Sequence, residues 1–172
     1  FWAGILWFAS AALALVWLIR KRREIHWKEL VTPSTVFFVV ASVAVIVVFA
    51  IRQPLFMERD EFSFWGIAPK VVKSTGQLYT YNPQGLRVTS YVPGLVMLDE
   101  AFQFLGASFA PWKVFAAYDI LMFAIFAAGI YTLERRRWNL AVPTALLLCM
   151  VPYLMTMYQR DINVSPIYMC SY

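Results

Sequence analysis

The stretch PSTVFFVVASVAVIVVFAI, residues 33–51, decides the fold of this chain. It lies in a longer run, residues 30–51, that contains no Asp, Glu, Lys, Arg or His. A helix needs about 20 apolar residues to cross the hydrocarbon core of a bilayer. The many valines would favour a strand in water, but an isolated strand in lipid would leave its backbone groups unpaired. The sequence therefore predicts a transmembrane helix.

Three further stretches of similar length, residues 1–19, 112–133 and 138–158, are also strongly apolar. Hydrophobic residues make up 61% of the chain, against roughly 45 to 50% in soluble domains. These features predict an all-α polytopic membrane protein with about four spans, arranged as a single transmembrane domain over residues 1–172. The start at Phe1 and the end at Tyr172 without a closing feature predict a fragment of a longer protein.

Two basic clusters predict the orientation of these spans. Arg20-Lys21-Arg22-Arg23 follows the first span, and Arg135-Arg136-Arg137 stands between the third and the fourth. Basic residues beside spans stay on the cytoplasmic side, so residues 53–111 and the residues after the fourth span are predicted to lie outside. Because the net charge of +5 comes from such clusters, it does not indicate nucleic-acid binding.

The long outer segment, residues 53–111, has helical patterns of its own. Apolar residues recur at helical spacing over residues 61–75, which predicts a helix lying in the membrane interface. Pro69 predicts either a kink in that helix or the first turn of a second one. Residues 95–105 are apolar but contain Asp99 and Glu100 and are short for a span. They predict a second interfacial helix, with a re-entrant segment as the alternative.

The outer segment also carries a motif, made of three short stretches. They are Asp60-Glu61-Phe62-Ser63-Phe64-Trp65-Gly66, Lys73-x3-Gln77-Leu78-Tyr79 and Tyr91-Val92-Pro93-Gly94. This order resembles the first outer loop of GT-C glycosyltransferases, near the protein mannosyltransferase family 39 and the lipid A aminoarabinose transferase group. The likeness covers about residues 57–131. In those enzymes the loop commonly reads Trp-Asp-Glu-Phe-Ser-His-Trp-Gly and then Tyr-Pro-Pro-Gly. Here Arg59, Phe64 and Val92 replace the first Trp, the His and the first Pro.

The resemblance implies the N-terminal part of a GT-C-like fold in a bacterial inner (plasma) membrane, with the catalytic loop outside. The implied reaction moves a sugar from a polyprenyl-phosphate carrier to an acceptor hydroxyl, with membrane lipids as surroundings. Asp60 matches the acid that removes the proton of the acceptor hydroxyl. Glu61 would support it or bind a metal. The alternative is that both acids cap the positive N-terminus of the following helix.

Further residues would serve the lipid phosphate and a metal ion. Lys70, Lys73, Arg59 and Arg87 are the candidate phosphate ligands, although each gains roughly 1 kcal/mol from anionic lipids in any case. Asp161 lies on the same predicted side as Asp60, where some GT-C enzymes place a second acid that shares a divalent ion. The two would bind Mg²⁺ or Mn²⁺ through their oxygens. The motif also adds Tyr91 to the candidate site.

Asp119 lies seven residues after Trp112 and so about 10 Å along a helix. An acid at that depth is costly unless it faces a cavity or a partner. It is predicted to line the donor groove, or to be interfacial if the span begins later. With Pro143 and Pro152 it also fits a transporter or flippase with a broken helix, which is the alternative function. The third hypothesis is a membrane scaffold protein without catalytic activity.

The predicted orientation can be tested by cysteine labelling in intact cells. Cysteines introduced at Gln77 and Gln84 should react with a membrane-impermeant thiol reagent, whereas a cysteine at Lys28 should react only after the cells are lysed. The reason is that the basic clusters hold the Lys28 loop in the cytoplasm. The reverse pattern would place the acidic motif in the cytoplasm and contradict the GT-C reading.

Overall fold

The computed structural model describes residues 2–21, 31–56, 61–81, 86, 93–104, 106–134 and 138–158. Within these ranges the chain forms helices and no strand. The helices are α1 (Trp2–Lys21), α2 (Pro33–Arg52), α3 (Ile67–Thr75), α4 (Gly94–Gln103), α5 (Pro111–Glu134) and α6 (Trp138–Tyr158), and a π-helical turn, Glu61–Trp65, precedes α3. The prediction of an all-α protein is confirmed.

Each predicted span coincides with one long helix. By length and composition, Pro33–Arg52 and Pro111–Leu133 are able to cross a membrane. Only 17% of the apolar window of α2 is buried within the protein, against 50% for α5. An apolar helix that exposes most of its side chains requires a nonpolar surrounding. The helices α1 and α6 cover the other two predicted spans, and the arrangement of four spans stays a prediction.

The ends of α2 follow from local sequence. The hydroxyl of Thr32 accepts a hydrogen bond from the backbone N–H of Thr35, and Pro33 occupies the first turn, where its missing N–H costs nothing. Gln53 closes the helix in a left-handed conformation with φ of 46°, and its N–H donates to the carbonyl of Phe49. Pro54 then prevents the helix from continuing. Residues 33–51, read from sequence as one span, are therefore one helix with defined ends.

The chain forms two compact units. The first consists of Phe1–Arg23 and Leu55–Ala117, and the second of Glu24–Pro54 and Tyr118–Tyr172. In the second unit α2 packs against α6. Its core includes Phe37, Met122, Phe123, Ile130 and Ala141. The rings of Phe37 and Phe123 meet edge to face, with their centroids 5.9 Å apart.

In the first unit α4 packs against both α1 and α3, and α3 packs against the π-helical turn. The core beneath these elements consists of Phe64, Ala68, Val71, Val72, Tyr79 and Val96. Four of these residues belong to the apolar pattern of the outer segment, so the predicted amphipathic face is the packed one. Their burial gives this part of the first unit a packed apolar core.

Residues 61–75 do not form one kinked helix. The π-helical turn ends at Trp65, and α3 begins at Ile67 with Pro69 as its third residue. Proline is tolerated there because the first turn of a helix has no use for its N–H. Of the two possibilities that the sequence left open, the structure contains the second helix.

The junction between the turn and α3 depends on a glycine. A Cβ built on Gly66 would overlap the ring of Phe56, since the Cδ2 atom of that ring would lie 2.7 Å away. Phe56 also contacts the rings of Phe62, Phe109 and Phe115, with centroid distances of 6.3, 6.0 and 5.6 Å. The small residue at position 66 therefore allows Phe56 to join the turn to the start of α5.

We expect Gly66→Ala to lower the thermal midpoint of the protein in detergent, corresponding to a loss of about 1 to 3 kcal/mol, because the added methyl displaces a packed aromatic ring. Gly94→Ala is the matched control, since a Cβ at Gly94 meets nothing within 4 Å. Equal midpoints for the two variants would show that the contact between Phe56 and Gly66 is not needed.

Candidate functional site

A side-chain amide joins the end of α4 to the start of α5. The Nε2 of Gln103 donates to the carbonyl of Ala110 at 2.8 Å, and the backbone N–H of Ala110 donates to the Oε1 of Gln103 at 3.0 Å. Gln103 is fully buried, so both hydrogen bonds are protected from competition by water. The two bonds fix the distance between the last turn of α4 and the first turn of α5.

Two lysines lie around this junction. The ammonium group of Lys73, on α3, donates to the backbone carbonyl of Gln103 at 3.0 Å. The Nζ of Lys113 lies 2.6 Å from the place where a Cβ on Gly106 would be, and the Gln103 carbonyl lies 3.5 Å from that same place. Lys113 also stands 5.8 Å from the centroid of the Trp112 ring, within cation–π range. Two positive charges from different elements thus lie near one carbonyl.

An acid lies one helical turn before Gln103. Glu100 is only 6% exposed, and its Oε2 atom accepts no hydrogen bond from the residues that the structure describes. Burial raises the pKa of the Glu100 carboxyl above its usual 4.5, and the charge of Lys73 opposes that rise. Glu100 is therefore a buried acid whose ionised form depends on Lys73.

These residues belong to one face of α4. Its buried residues are Val96, Asp99, Glu100 and Gln103, spaced three, four and seven positions from the first. That spacing defines a single helical face. The face packs against α1 and α3, so a mostly polar stripe is buried where an interfacial helix would usually bury apolar side chains. We name Lys73, Glu100, Gln103 and Lys113 the polar junction.

The predicted phosphate ligands are divided by the structure. Lys73 belongs to the polar junction, whereas Lys70, one turn earlier on α3, is exposed. Arg59 and Arg87 lie outside the described residues. Among the predicted phosphate ligands that the structure describes, Lys73 is the one that belongs to the polar junction, because its ammonium group donates to the carbonyl of Gln103.

Of the predicted acids of the motif, Glu61 lies within the described residues. Glu61 is the first residue of the π-helical turn, while Asp60, Asp161 and Tyr91 lie outside the described residues. Over the ranges that the structure covers, no group of three or more His, Cys, Asp or Glu residues could hold a metal ion. The proposed metal ligands Asp60 and Asp161 lie outside those ranges. A π-helical turn directly after Asp60 is of interest because such turns recur at functional sites.

Phe64 stands where the resembling enzymes commonly have His. It is 1% exposed, and its ring meets those of Trp65 and Tyr79 edge to face at 5.0 and 5.1 Å. In this chain the position therefore serves packing. The same burial raises the pKa of the Tyr79 hydroxyl above its usual 10.0.

Asp119 is buried, with 3% of its surface exposed. Its Oδ1 atom has no hydrogen-bond partner in the described part of the chain. Burial within the protein is compatible with either predicted depth of this residue, so its interfacial position stays a prediction. Its predicted place in a donor groove stays a prediction.

Comparison of the chain with protein-family models, with curated proteins and with solved structures gives no match.

Sequence reasoning missed Glu100, Gln103 and Lys113 as site residues. A signal for the first two was present, because Asp99, Glu100 and Gln103 occupy helical spacing with the apolar Val96. No sequence signal places Lys113 beside Lys73, since the two are brought together by the packing of separate elements. The polar junction is a product of tertiary structure.

The raised pKa of Glu100 predicts a pH dependence of stability. A raised pKa means that the folded state holds the proton more tightly than the unfolded state, so stability is highest below 4.5 and falls as the pH rises through the folded-state pKa. We expect Glu100→Gln to match the wild type at low pH and to have the higher thermal midpoint once the pH exceeds the folded-state pKa of Glu100. Parallel midpoint curves across the whole pH range would contradict this assignment.

Proposed function

We propose that the chain is part of an integral-membrane glycosyltransferase that moves a sugar from a polyprenyl-phosphate carrier to an acceptor hydroxyl at the outer membrane face. The observation that carries the proposal is the polar junction. Lys73, which belongs to the motif that resembles GT-C enzymes, lies with Lys113 at the start of a helix able to cross a membrane. Two ammonium groups at such a place suit the phosphate of a lipid-linked donor.

The proposed chemistry is an inverting displacement. The carboxylate of Asp60 takes the proton from the acceptor hydroxyl while that oxygen forms a bond to the anomeric carbon. The bond between the anomeric carbon and the phosphate oxygen breaks on the opposite face, and polyprenyl phosphate leaves with the bonding electrons. Lys73 and Lys113 would offset the charge that develops on the leaving phosphate.

Asp60 and Glu61 adjoin the π-helical turn, whose Phe64 and Trp65 pack into the core of the outer segment. A packed turn supplies a fixed support for a catalytic carboxylate. We retain a divalent ion, Mg²⁺ or Mn²⁺, shared by Asp60 and Asp161 as a proposal, because both ions prefer carboxylate oxygens. The proposed location is a bacterial inner membrane with this segment outside.

The transporter or flippase alternative draws on Asp119, a buried acid in a helix able to cross a membrane. This alternative also requires a helix that is broken at Pro143 and Pro152. The structure assigns Trp138–Tyr158 to one continuous helix, which does not favour that alternative. Asp119 alone does not distinguish transport from a donor groove, so the glycosyltransferase is preferred.

We expect Asp60→Asn to abolish sugar transfer from radiolabelled polyprenyl-phosphate carriers, with normal insertion into the membrane. Loss of a general base should lower the rate by about 10² to 10⁴, while the shape of the side chain is nearly unchanged. Glu61→Gln should lower the rate less. Transfer by Asp60→Asn within about threefold of the wild-type rate would remove this residue from the mechanism.

The same assay includes a matched pair of lysine variants. Lys73→Gln should raise the KM for the carrier, whereas Lys70→Gln should leave it nearly unchanged, because Lys70 is exposed and lies outside the polar junction. Equal effects of the two variants would indicate general attraction to anionic lipid. If the Glu61→Gln variant transfers sugar more slowly than the Asp60→Asn variant, Glu61 is the general base.

A further inference from the structure

The polar junction holds one negative and two positive charges when all three groups are ionised. Glu100 is nine-tenths buried with its Oε2 unpartnered among the described residues, and Lys73 is directed to the carbonyl of Gln103 one turn away. A buried carboxylate without donors is costly unless a positive charge lies nearby. The ionised form of Glu100 therefore relies on the same lysine that an anion at this site would use.

Among the described residues, the other charged side chains do not take over this role. Asp99 on α4 is itself acidic, and Lys70 on α3 is exposed. The ionisable side chains of α1, which packs against α4, are Arg20 and Lys21 at its C-terminal end. Lys113 lies near Gly106. Lys73 is the described cation whose charge favours ionised Glu100.

We propose that Glu100 competes with a bound anion for the positive charge of Lys73, so that anion binding at Lys73 and Lys113 is accompanied by uptake of a proton on Glu100. The identity of the anion rests on the proposed function: it is the product polyprenyl phosphate, a monoester that carries two negative charges, whereas the sugar-loaded carrier is a diester with one. With a phosphate dianion bound and Glu100 protonated, the four charged groups sum to zero. With Glu100 ionised they sum to one uncompensated negative charge in a largely buried place, which is unfavourable.

Anion binding and protonation of Glu100 favour each other. An anion beside Glu100 favours its neutral form, so by reciprocity protonated Glu100 favours the anion. Anion affinity is therefore highest at low pH and falls as the pH rises through the titration of Glu100. Loss of the Glu100 proton to water would promote release of the phosphate product. Glu100 acts in this scheme as a positioning residue, through Lys73, and does not touch the reacting atoms.

Inorganic sulfate is the probe, because it keeps the same charge across the working pH range. Sulfate binding to the purified full chain in an uncharged detergent is measured by calorimetry at several pH values. Each measurement is made in two buffers with different ionisation enthalpies, so that the difference in heat gives the number of protons taken up. For the wild type we expect proton uptake on binding and an affinity that falls by about fivefold or more as Glu100 titrates.

Three variants decide the origin of that uptake. Glu100→Gln should bind sulfate without proton uptake and with an affinity that no longer falls with pH. Lys73→Gln should weaken binding about tenfold or more, since it removes a charged hydrogen-bond donor. Lys70→Gln, its matched control on the same helix, should stay within about threefold of the wild type.

Unchanged proton uptake in Glu100→Gln would overturn the inference, and so would absence of sulfate binding by the folded wild-type protein. Equal losses in Lys73→Gln and Lys70→Gln would overturn it as well. The sulfate measurement does not use sugar transfer, so the two proposals fail separately. Proton-linked sulfate binding without transfer would leave this inference standing and the glycosyltransferase proposal rejected, and the opposite result would reject the inference alone.

Discussion

The hydrogen bonds between the amide of Gln103 and the peptide group of Ala110 are the interaction on which the candidate site depends. They hold the end of α4 against the start of α5 and leave the backbone carbonyl of Gln103 available to Lys73. Because Gln103 is buried, losing either bond would leave a polar atom without water, at a cost of about 1 to 3 kcal/mol. This connection fixes the Gln103 carbonyl to which the ammonium group of Lys73 donates.

A second constraint is the nonpolar surrounding that α2 requires. A helix satisfies its own backbone hydrogen bonds, so it is the structure that an apolar segment adopts in lipid, whatever its content of valine. The exposed aliphatic side chains of α2 suit a nonpolar surrounding, and they are not among the buried core residues of the protein. The buried polar residues of α4 lie in the segment between α2 and α5.

That segment combines two kinds of packing. The apolar cluster around Phe64 and Tyr79 gives it a core, while α4 buries a polar stripe with Glu100 and Gln103 against its neighbours. Burying polar side chains requires compensation by hydrogen bonds or charges, and natural proteins tolerate such places mainly where function needs them. Phe64 belongs to the apolar core, where its ring meets that of Tyr79 edge to face.

The amino-acid sequence by itself determined the helices and most of their limits. The apolar run of residues 33–51, the threonine and proline before it and the proline after it are local signals, because a helix is specified by neighbours within a few residues. The amphipathic pattern likewise predicted α3 and its buried face, and Pro69 left two possibilities that packing decided. Lys73 was one of four basic residues of the predicted outer loop that the sequence offered as phosphate ligands.

Only the tertiary structure brought Lys73, Glu100 and Lys113 together. They come from three helices, and their proximity depends on how α3, α4 and the start of α5 pack, which sequence spacing does not encode. The burial of Glu100 is decided in the same way. Its identity as an acid is local, but its dependence on the charge of Lys73 arises because neighbouring helices exclude water from it.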